Sequence, residues 1–386
     1  MSIGMKVLIN ALSVTNQSGR HVLMGHLNQL RELTQGLHQF VILHHRGNRD
    51  IVVKADEYEW LECPESTANW SGRAFWEFRN LNRIVDETES DFLFTPAGVS
   101  VPGIRAPQVV FCQNPWCLVP ELHQNLKDRA KAALQRKEYR RTVRDATLMV
   151  FNSRYMREAY RKNAGNRESD SMVVYQAISD STWRAAERMG KRAMERNHIL
   201  SVSAMAPHKG ADILVQALRC VRDRGVDAKL TFAGGWPDAE YRRRVESLVD
   251  QLGLREAVTF CGWISDEELH ELYSRCHVFC LLSRCESFGI PAVEAQSFGT
   301  PTVGTDACAI PEIGGDGGLY GPVDDPQSAA DHLVNVMTDD ALWQQLSRRA
   351  AANSQKYRWD MCSRPLLKMF DVIERQRTDL LAGCAT

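Results

Sequence analysis

Two carboxylates, Glu286 and Glu294, stand with seven residues between them in the run SRCESFGIPAVEAQSFG (283–299). Just upstream, HVFCLL (277–282) is an apolar run of strand length. Gly289 permits a sharp turn, Pro291 suits the first position of a helix, and Gly299 suits the residue just past its end. The expected unit is strand, loop, short helix, with Glu286 in the loop at the strand's carboxyl end and Glu294 in the first helical turn. In open α/β sheets that edge is where ligands bind, and a helix start offers backbone N–H groups to an anion. Amides for a phosphate, flanked by carboxylates for hydroxyls, describe a ligand that is part phosphate and part polyol, such as a nucleotide sugar. Each piece has a plainer explanation by itself. A glutamate in a first turn often only complements the helix dipole, and Gly-x-Pro is common punctuation. The order of the pieces is what points to chemistry.

Lys209 is the cation to set beside them. It follows the strand-like run HILSVS through a loop and precedes ADILVQALRCV, whose Ile213, Leu214, Ala217, Leu218 and Val221 make one apolar helix face. A lysine there reaches a diphosphate at a sheet edge, although a lone loop lysine is more often simply solvated.

The run ESFGIPAVEAQSFGTPTV resembles the E-x7-E signature of the retaining glycosyltransferases of family 4, which have the GT-B fold. LSVSAMAPHKGADILVQAL (200–218) is similar to that family's strand, lysine loop and helix, and the likeness continues through IPEIGGDGGLYGPVDD (310–325). It covers residues 197–360 closely and the first half loosely. The resemblance implies that Lys209 and Glu286 are catalytic, with Lys209 on the donor phosphates and Glu286 on hydroxyls of the transferred sugar. It implies that Glu294 holds the ribose, as a carboxylate accepting two adjacent O–H groups can, and that the amides of Ser287, Phe288 and Gly289 face the sugar and its phosphate. By the same resemblance Gly19, in NQSGRHVLMGHL, takes the place of the family's glycine-rich loop between the first strand and first helix and binds the donor near its phosphates. Gln113 and Asn114, where many relatives carry a histidine, either bond sugar hydroxyls or form a plain Asn-Pro turn. His208 is a bystander beside Lys209. One departure stands out: Ala204 occupies a position where many relatives carry a second cation, an arginine.

The elements that must position these residues alternate between strand-like and helical runs, the pattern of parallel α/β sheets. In the first half KVLIN (6–10), FVILHH (40–45), FLFTP (92–96), QVVFCQ (108–113) and ATLMVFN (146–152) read as strands, and 22–33 as the first helix. In the second half the strands are HILSVS (198–203), AKLTFAG (228–234), AVTFCG (257–262), HVFCLL (277–282) and TPTVGT (300–305). The expected architecture is α/β of GT-B type: two Rossmann-like domains with parallel sheets facing a central cleft. Residues 1–180 form the acceptor-side domain, 181–196 a polar linker, and 197–360 the donor domain. Residues 361–386 form a C-terminal helix crossing back to the first domain, and a tail.

At 386 residues the chain is too long for one ordinary core. Its 44% hydrophobic and 25% charged content is that of a globular protein, and a net charge of −1 argues against nucleic-acid binding by bulk charge. The start, MSIGMKVLIN, reads as a first strand rather than a signal peptide, and no apolar run approaches a bilayer span. Eleven cysteines without a CxxC pair favour a reducing cytoplasm over a disulfide framework or zinc site. The segment 121–146 is basic. Its default reading is a solvated helix face; the alternative, level with it once lipid-linked acceptors are considered, is attraction to an anionic membrane surface on the cytoplasmic side.

The function expected from the resemblance is retaining transfer of a hexosyl unit, from GDP-mannose or a UDP-sugar, to a glycan or lipid-linked acceptor. No cofactor and no metal are expected. The rivals are a sugar-nucleotide epimerase, a phosphorylase, a catalytically weakened binding subunit, and a dinucleotide dehydrogenase, the last disfavoured because no GxGxxG follows KVLIN.

Overall fold

The apolar runs are the strands of two parallel sheets in a computed structural model, which describes residues 4–15, 17–51, 58–123, 125–190 and 194–383. The chain divides into two units, Met1–Ala177 with Trp359–Thr386, and Ile178–Arg358.

The first unit carries β1 (Lys6–Asn10), β2 (Gln39–His44), β3 (Glu59–Glu62), β4 (Phe92–Thr95), β5 (Gln108–Cys112), β6 (Leu148–Phe151) and β7 (Ser171–Val173), all parallel, in the order β3-β2-β1-β4-β5-β6-β7. The five central strands match the expected runs. β3 and β7 lie at the edges and escape a search for apolar runs, because EWLE alternates with glutamates and SMV is three residues long. Chain order reverses between β1 and β4, which makes the carboxyl ends of those strands the switch point of this sheet.

Among the described residues, α1 (Gln17–Leu33), α2 (Trp70–Glu87), α3 (Leu126–Asp145) and α4 (Arg154–Asn163) cross over between strands. α1 starts five residues before the expected 22, because its polar first turn carries no apolar period. On one face of the sheet, Val22, Leu23 and Leu27 of α1 pack with Val7, Ile9 and Phe40. Leu81, Ile84 and Val85 of α2 pack on the other with Leu8, Val41 and Leu93.

The second unit opens with α5 (Asp180–Met189). It occupies the segment expected as a polar linker, of which residues 191–193 lie outside the described residues. Trp183, Ala185 and Ala186 are buried, and Ser179 caps the helix by accepting the Thr182 N–H at 3.0 Å. The sheet comprises β8 (His198–Val202), β9 (Lys229–Ala233), β10 (Val258–Gly262), β11 (Val278–Leu281), β12 (Thr302–Thr305) and β13 (Gly318–Gly321), parallel, in the order β10-β9-β8-β11-β12-β13. Around it run α6 (Ala211–Asp223), α7 (Ala239–Gln251), α8 (Asp266–Arg275), α9 (Ile290–Ser297), α10 (Ile310–Gly314), α11 (Pro326–Thr338) and α12 (Asp340–Ser354). All five residues of the apolar face read for α6 are buried. The switch point falls between β8 and β11, which pair Ile199 with Val278 and Leu200 with Phe279. The loops after these two strands therefore emerge side by side.

After residue 358 the chain rejoins the first unit through α13 (Trp359–Ser363), a 3-10 turn around Pro365, and α14 (Lys368–Gly383). Leu366, Met369, Phe370 and Ile373 join the core on the α1 face, and His38 stacks on Phe370 with ring centroids 3.6 Å apart. Gly25 admits the Trp359 indole, since a Cβ there would lie 2.1 Å from the ring. The last three residues of the expected tail lie outside the described residues.

Candidate active site

The loop after β8 contains a tight 3-10 turn, Pro207–Lys209, closed by Gly210 in the left-handed region at φ 70° before α6 begins. Gly210 is required twice: by that φ, and because a Cβ would sit 2.1 Å from the Leu282 carbonyl oxygen of the neighbouring loop. The loop after β11 runs from Leu282 to Gly289, whose φ of 101° turns the chain into α9. Two bonds knit these loops. The Arg284 N–H donates to the His208 carbonyl at 2.8 Å, and the Arg284 guanidinium donates to the Pro207 carbonyl while pairing with Asp212 at 3.3 Å and Asp324 at 2.7 Å.

That stitching brings together two residues 77 apart in the chain. Lys209 Nζ donates to Glu286 Oε1 at 2.6 Å, and Ser283 Oγ donates to the same oxygen at 2.9 Å. Both charged side chains are mostly buried. A paired lysine and carboxylate can each take other partners, the ammonium an anion and the carboxylate hydroxyl donors. Burial, and then the Lys209 charge, hold the His208 pKa below its ordinary value, so this imidazole is neutral beside the lysine.

α9 positions the second carboxylate. Pro291 is its second residue rather than its first, and Glu294 its fifth, one turn beyond the first-turn position expected. Glu294 is half-buried and accepts the Tyr273 hydroxyl at 2.9 Å. Burial outweighs that bond and pushes the Glu294 carboxyl up to about 7. Phe288 is buried, its ring edge-on to Tyr357 at 5.5 Å, and anchors the segment whose amides precede α9. Ala204 is exposed in the same loop as Lys209.

The expected first-unit residues follow strands β1 and β5 in the chain. Gly19 is in the first turn of α1, not before the helix. Gln113 follows β5 and accepts the Gln176 side-chain amide at 3.2 Å. Asn114 makes an Asx turn, its Oδ1 accepting the Trp116 N–H at 2.9 Å, while its carbonyl accepts the Tyr139 hydroxyl at 3.1 Å. These bonds give Asn114 a turn-forming role.

The basic segment is α3. Arg136 bonds the Cys117 carbonyl and Arg141 the Ser100 carbonyl, whereas Lys127, Arg129, Lys131, Lys137, Arg140 and Arg144 are exposed together with Leu126 and Leu134. Among the described residues no helix is long and apolar enough to cross a membrane.

Sequence reasoning missed three supporting residues. Ser283 lies in the same short run as Glu286, three positions before it, and was findable. Arg284 is adjacent, but its three acceptors are scattered from 207 to 324. Tyr273 sits on α8 with nothing local to mark it.

Two parallel-sheet units with a C-terminal helix returning to the first make the GT-B fold. Residues 184–356 match the family model described as "Glycosyl transferases group 1". The O-antigen chain mannosyltransferase B of Escherichia coli is 27% identical over 182 residues, 46% of this chain and 46% of that protein. The D-inositol 3-phosphate glycosyltransferase of Xylanimonas cellulosilytica is 31% identical over 203 residues, 52% of this chain and 48% of that one. The chain thus spans about half the length of these curated relatives. Solved structures match over nearly the whole chain. Anabaena HepE in complex with UDP and glucose aligns with a TM-score of 0.70 at 20% identity, covering 95% of this chain and 99% of that one. WaaG, a glycosyltransferase involved in lipopolysaccharide biosynthesis, aligns at 0.66 and 16%, covering 95% and 99%. At these identities the likeness is one of fold.

Proposed function

We propose that the protein is a retaining glycosyltransferase that moves a hexosyl unit from a nucleotide-diphosphate sugar to a hydroxyl of a glycan or lipid-linked acceptor. The observation that carries this reading is the pairing of Lys209 with Glu286 at the switch point of the second sheet, within the segment matched by the family. Lys209 turns from Glu286 to the donor diphosphate and stabilises the charge that develops as the bond from the anomeric carbon to phosphate oxygen breaks. Glu286, held by Ser283, accepts hydroxyls of the sugar; Glu294 accepts the ribose diol. The acceptor oxygen bonds to the anomeric carbon from the face the diphosphate leaves, and the departing phosphate oxygen takes its proton. Gln113, on the loop after β5, offers its side-chain amide to sugar hydroxyls. These side chains supply charge and position, and the proposed transfer calls on no metal or cofactor.

A mannosyl donor is favoured by the O-antigen mannosyltransferase relative, a glucosyl donor by the UDP-glucose complex of HepE. The exposed cations and leucines of α3 support docking on an anionic membrane, where a lipid-linked acceptor is reached. Exposed Ala204, in place of a second cation, favours one alternative, a weakened subunit that binds donor without transferring it. A thermal-shift panel of UDP-, GDP-, ADP- and dTDP-sugars, followed by transfer to a lipid-linked acceptor, tests both. Stabilisation by one donor with transfer supports the proposal, stabilisation without transfer the alternative, and no stabilisation refutes both.

A further inference from the structure

The loop that carries Glu286 is tied on its far side to the loop after β12. β11 and β12 are parallel neighbours, with Leu281 opposite Gly304. Beyond them, Thr305 Oγ1 donates to the Ser283 carbonyl at 2.6 Å, and the Ala309 N–H donates to the Glu286 carbonyl at 3.1 Å. Between these bonds two thiols meet, Cys308 Sγ donating to Cys285 Sγ at 2.8 Å. Cys285 immediately precedes Glu286 and is buried; Cys308 is half-buried and sits in the left-handed region at φ 54°, a backbone conformation uncommon for any residue with a side chain. The sulfur atoms are closer than their van der Waals separation, and a covalent S–S bond requires them to approach by only about 0.8 Å more.

We propose that Cys285 and Cys308 are an oxidation site, converted by a low-molecular-weight disulfide such as oxidised glutathione into an internal disulfide that locks the Glu286 loop and switches donor handling off. Cys308, the more accessible sulfur, attacks one sulfur of oxidised glutathione as its thiolate and expels one glutathione. Cys285 then loses its proton and attacks Cys308 Sγ, forming the internal bond and expelling the second glutathione. Two protein thiols are oxidised, one glutathione disulfide is reduced to two thiols, and the two protons pass to the departing thiolates. The hydrogen bond with Cys308, together with burial, holds the Cys285 thiol well above the ordinary range. It therefore resists direct attack on an outside oxidant and acts only as the second, resolving thiol.

The consequence follows from the Lys209–Glu286 pair and rests on the donor-site reading above. Lys209 and Glu286 are bonded to each other, so a donor diphosphate reaches the lysine only if the loop lets them part. A bond from Cys285 to Cys308 ties the residue next to Glu286 to a second strand end and removes that freedom.

The test exposes the full chain to graded ratios of oxidised to reduced glutathione. Peptide mapping under non-reducing conditions reads the chemistry, and the thermal response to UDP-glucose and GDP-mannose reads the consequence. The expected result is a linked peptide pair carrying residues 285 and 308, two hydrogens lighter. Nucleotide-sugar affinity falls about 5-fold or more, the low end of coupling between linked sites. Dithiothreitol restores it, and C308S binds donor normally while showing neither change. Persistent mixed disulfide, no linkage, or linkage with unaltered affinity overturns the proposal. If the reduced protein responds to neither nucleotide sugar, the donor reading falls and the switch with it, while the mapped linkage still decides the thiol chemistry.

Discussion

In the proposed donor site, the Glu294 carboxyl, pushed up to about 7, should make donor binding depend on pH in a calculable way. Ribose hydroxyls donate to the ionised form. With a pKa near 7, about one molecule in ten is ionised at pH 6 and about nine in ten at pH 8, so affinity for a nucleotide sugar rises about tenfold over that interval. A nucleotide sugar has no phosphate proton titrating there, which removes the main competing source of slope. Stability moves the opposite way. The native state keeps this proton to higher pH than the unfolded chain, whose carboxyl titrates at its ordinary 4.5. The stabilisation is therefore complete below pH 4.5 and is lost as pH rises through 7, amounting to about 3 kcal/mol at most. Glu294→Gln keeps an acceptor for the Tyr273 hydroxyl but removes the charge. The variant should lose donor affinity at pH 8 by about 1.5–3 kcal/mol, or about 10- to 100-fold. Its affinity should no longer rise between pH 6 and 8, and in urea titrations it should be more stable than the parent above pH 7. Calorimetry over that pH range reads the binding part. An unchanged pH slope in the variant would refute the assignment of this carboxylate to the ribose.

Lys209→Ala leaves Glu286 partly buried without its cation and should lower transfer by about 100-fold or more, measured as initial rates with saturating acceptor. Wild-type rates in the variant contradict its role. Gly210→Ala drives a Cβ into the Leu282 carbonyl from a left-handed backbone and should cost about 2–4 kcal/mol in urea unfolding; a loss below about 0.5 kcal/mol would show that the two loops are not held in this contact. Reversing Lys137, Arg140 and Arg144 to glutamate should weaken sedimentation with phosphatidylglycerol vesicles by about 100-fold, at roughly 1 kcal/mol per cation. Equal sedimentation, or equal binding to zwitterionic vesicles, removes the membrane role of α3. Transfer should persist in excess EDTA, and its abolition with rescue by a divalent ion would overturn metal independence.

What the sequence made legible follows the strength of local signals. The central strands of both sheets are apolar runs because they are covered on both faces, and the lysine loop, the glycine turn and the short helix after Gly289 are written in residue types with narrow conformational roles. Strands β3 and β7 were not legible: an edge strand needs neither continuous apolarity nor length. Residues 180–189 read as polar because α5 buries one narrow stripe around Trp183. Lys209 and Glu286 could each be singled out, but their 2.6 Å contact depends on β8 and β11 being neighbours, a property of topology that no window of sequence contains. The same holds for Tyr273 beneath Glu294 and for the contact of Cys285 with Cys308. Gly19 and Asn114 show the opposite limit. Their types suit a ligand loop and a turn equally, and backbone placement put one inside α1 and gave the other a turn-forming bond.

A crystal structure of the full chain soaked with UDP-glucose and GDP-mannose tests the donor site most directly. The account predicts diphosphate density within hydrogen-bonding distance of Lys209 Nζ, the Lys209–Glu286 pair opened, and a ribose diol on Glu294. A nucleotide sugar bound elsewhere on the chain, with that pair still closed, would contradict it.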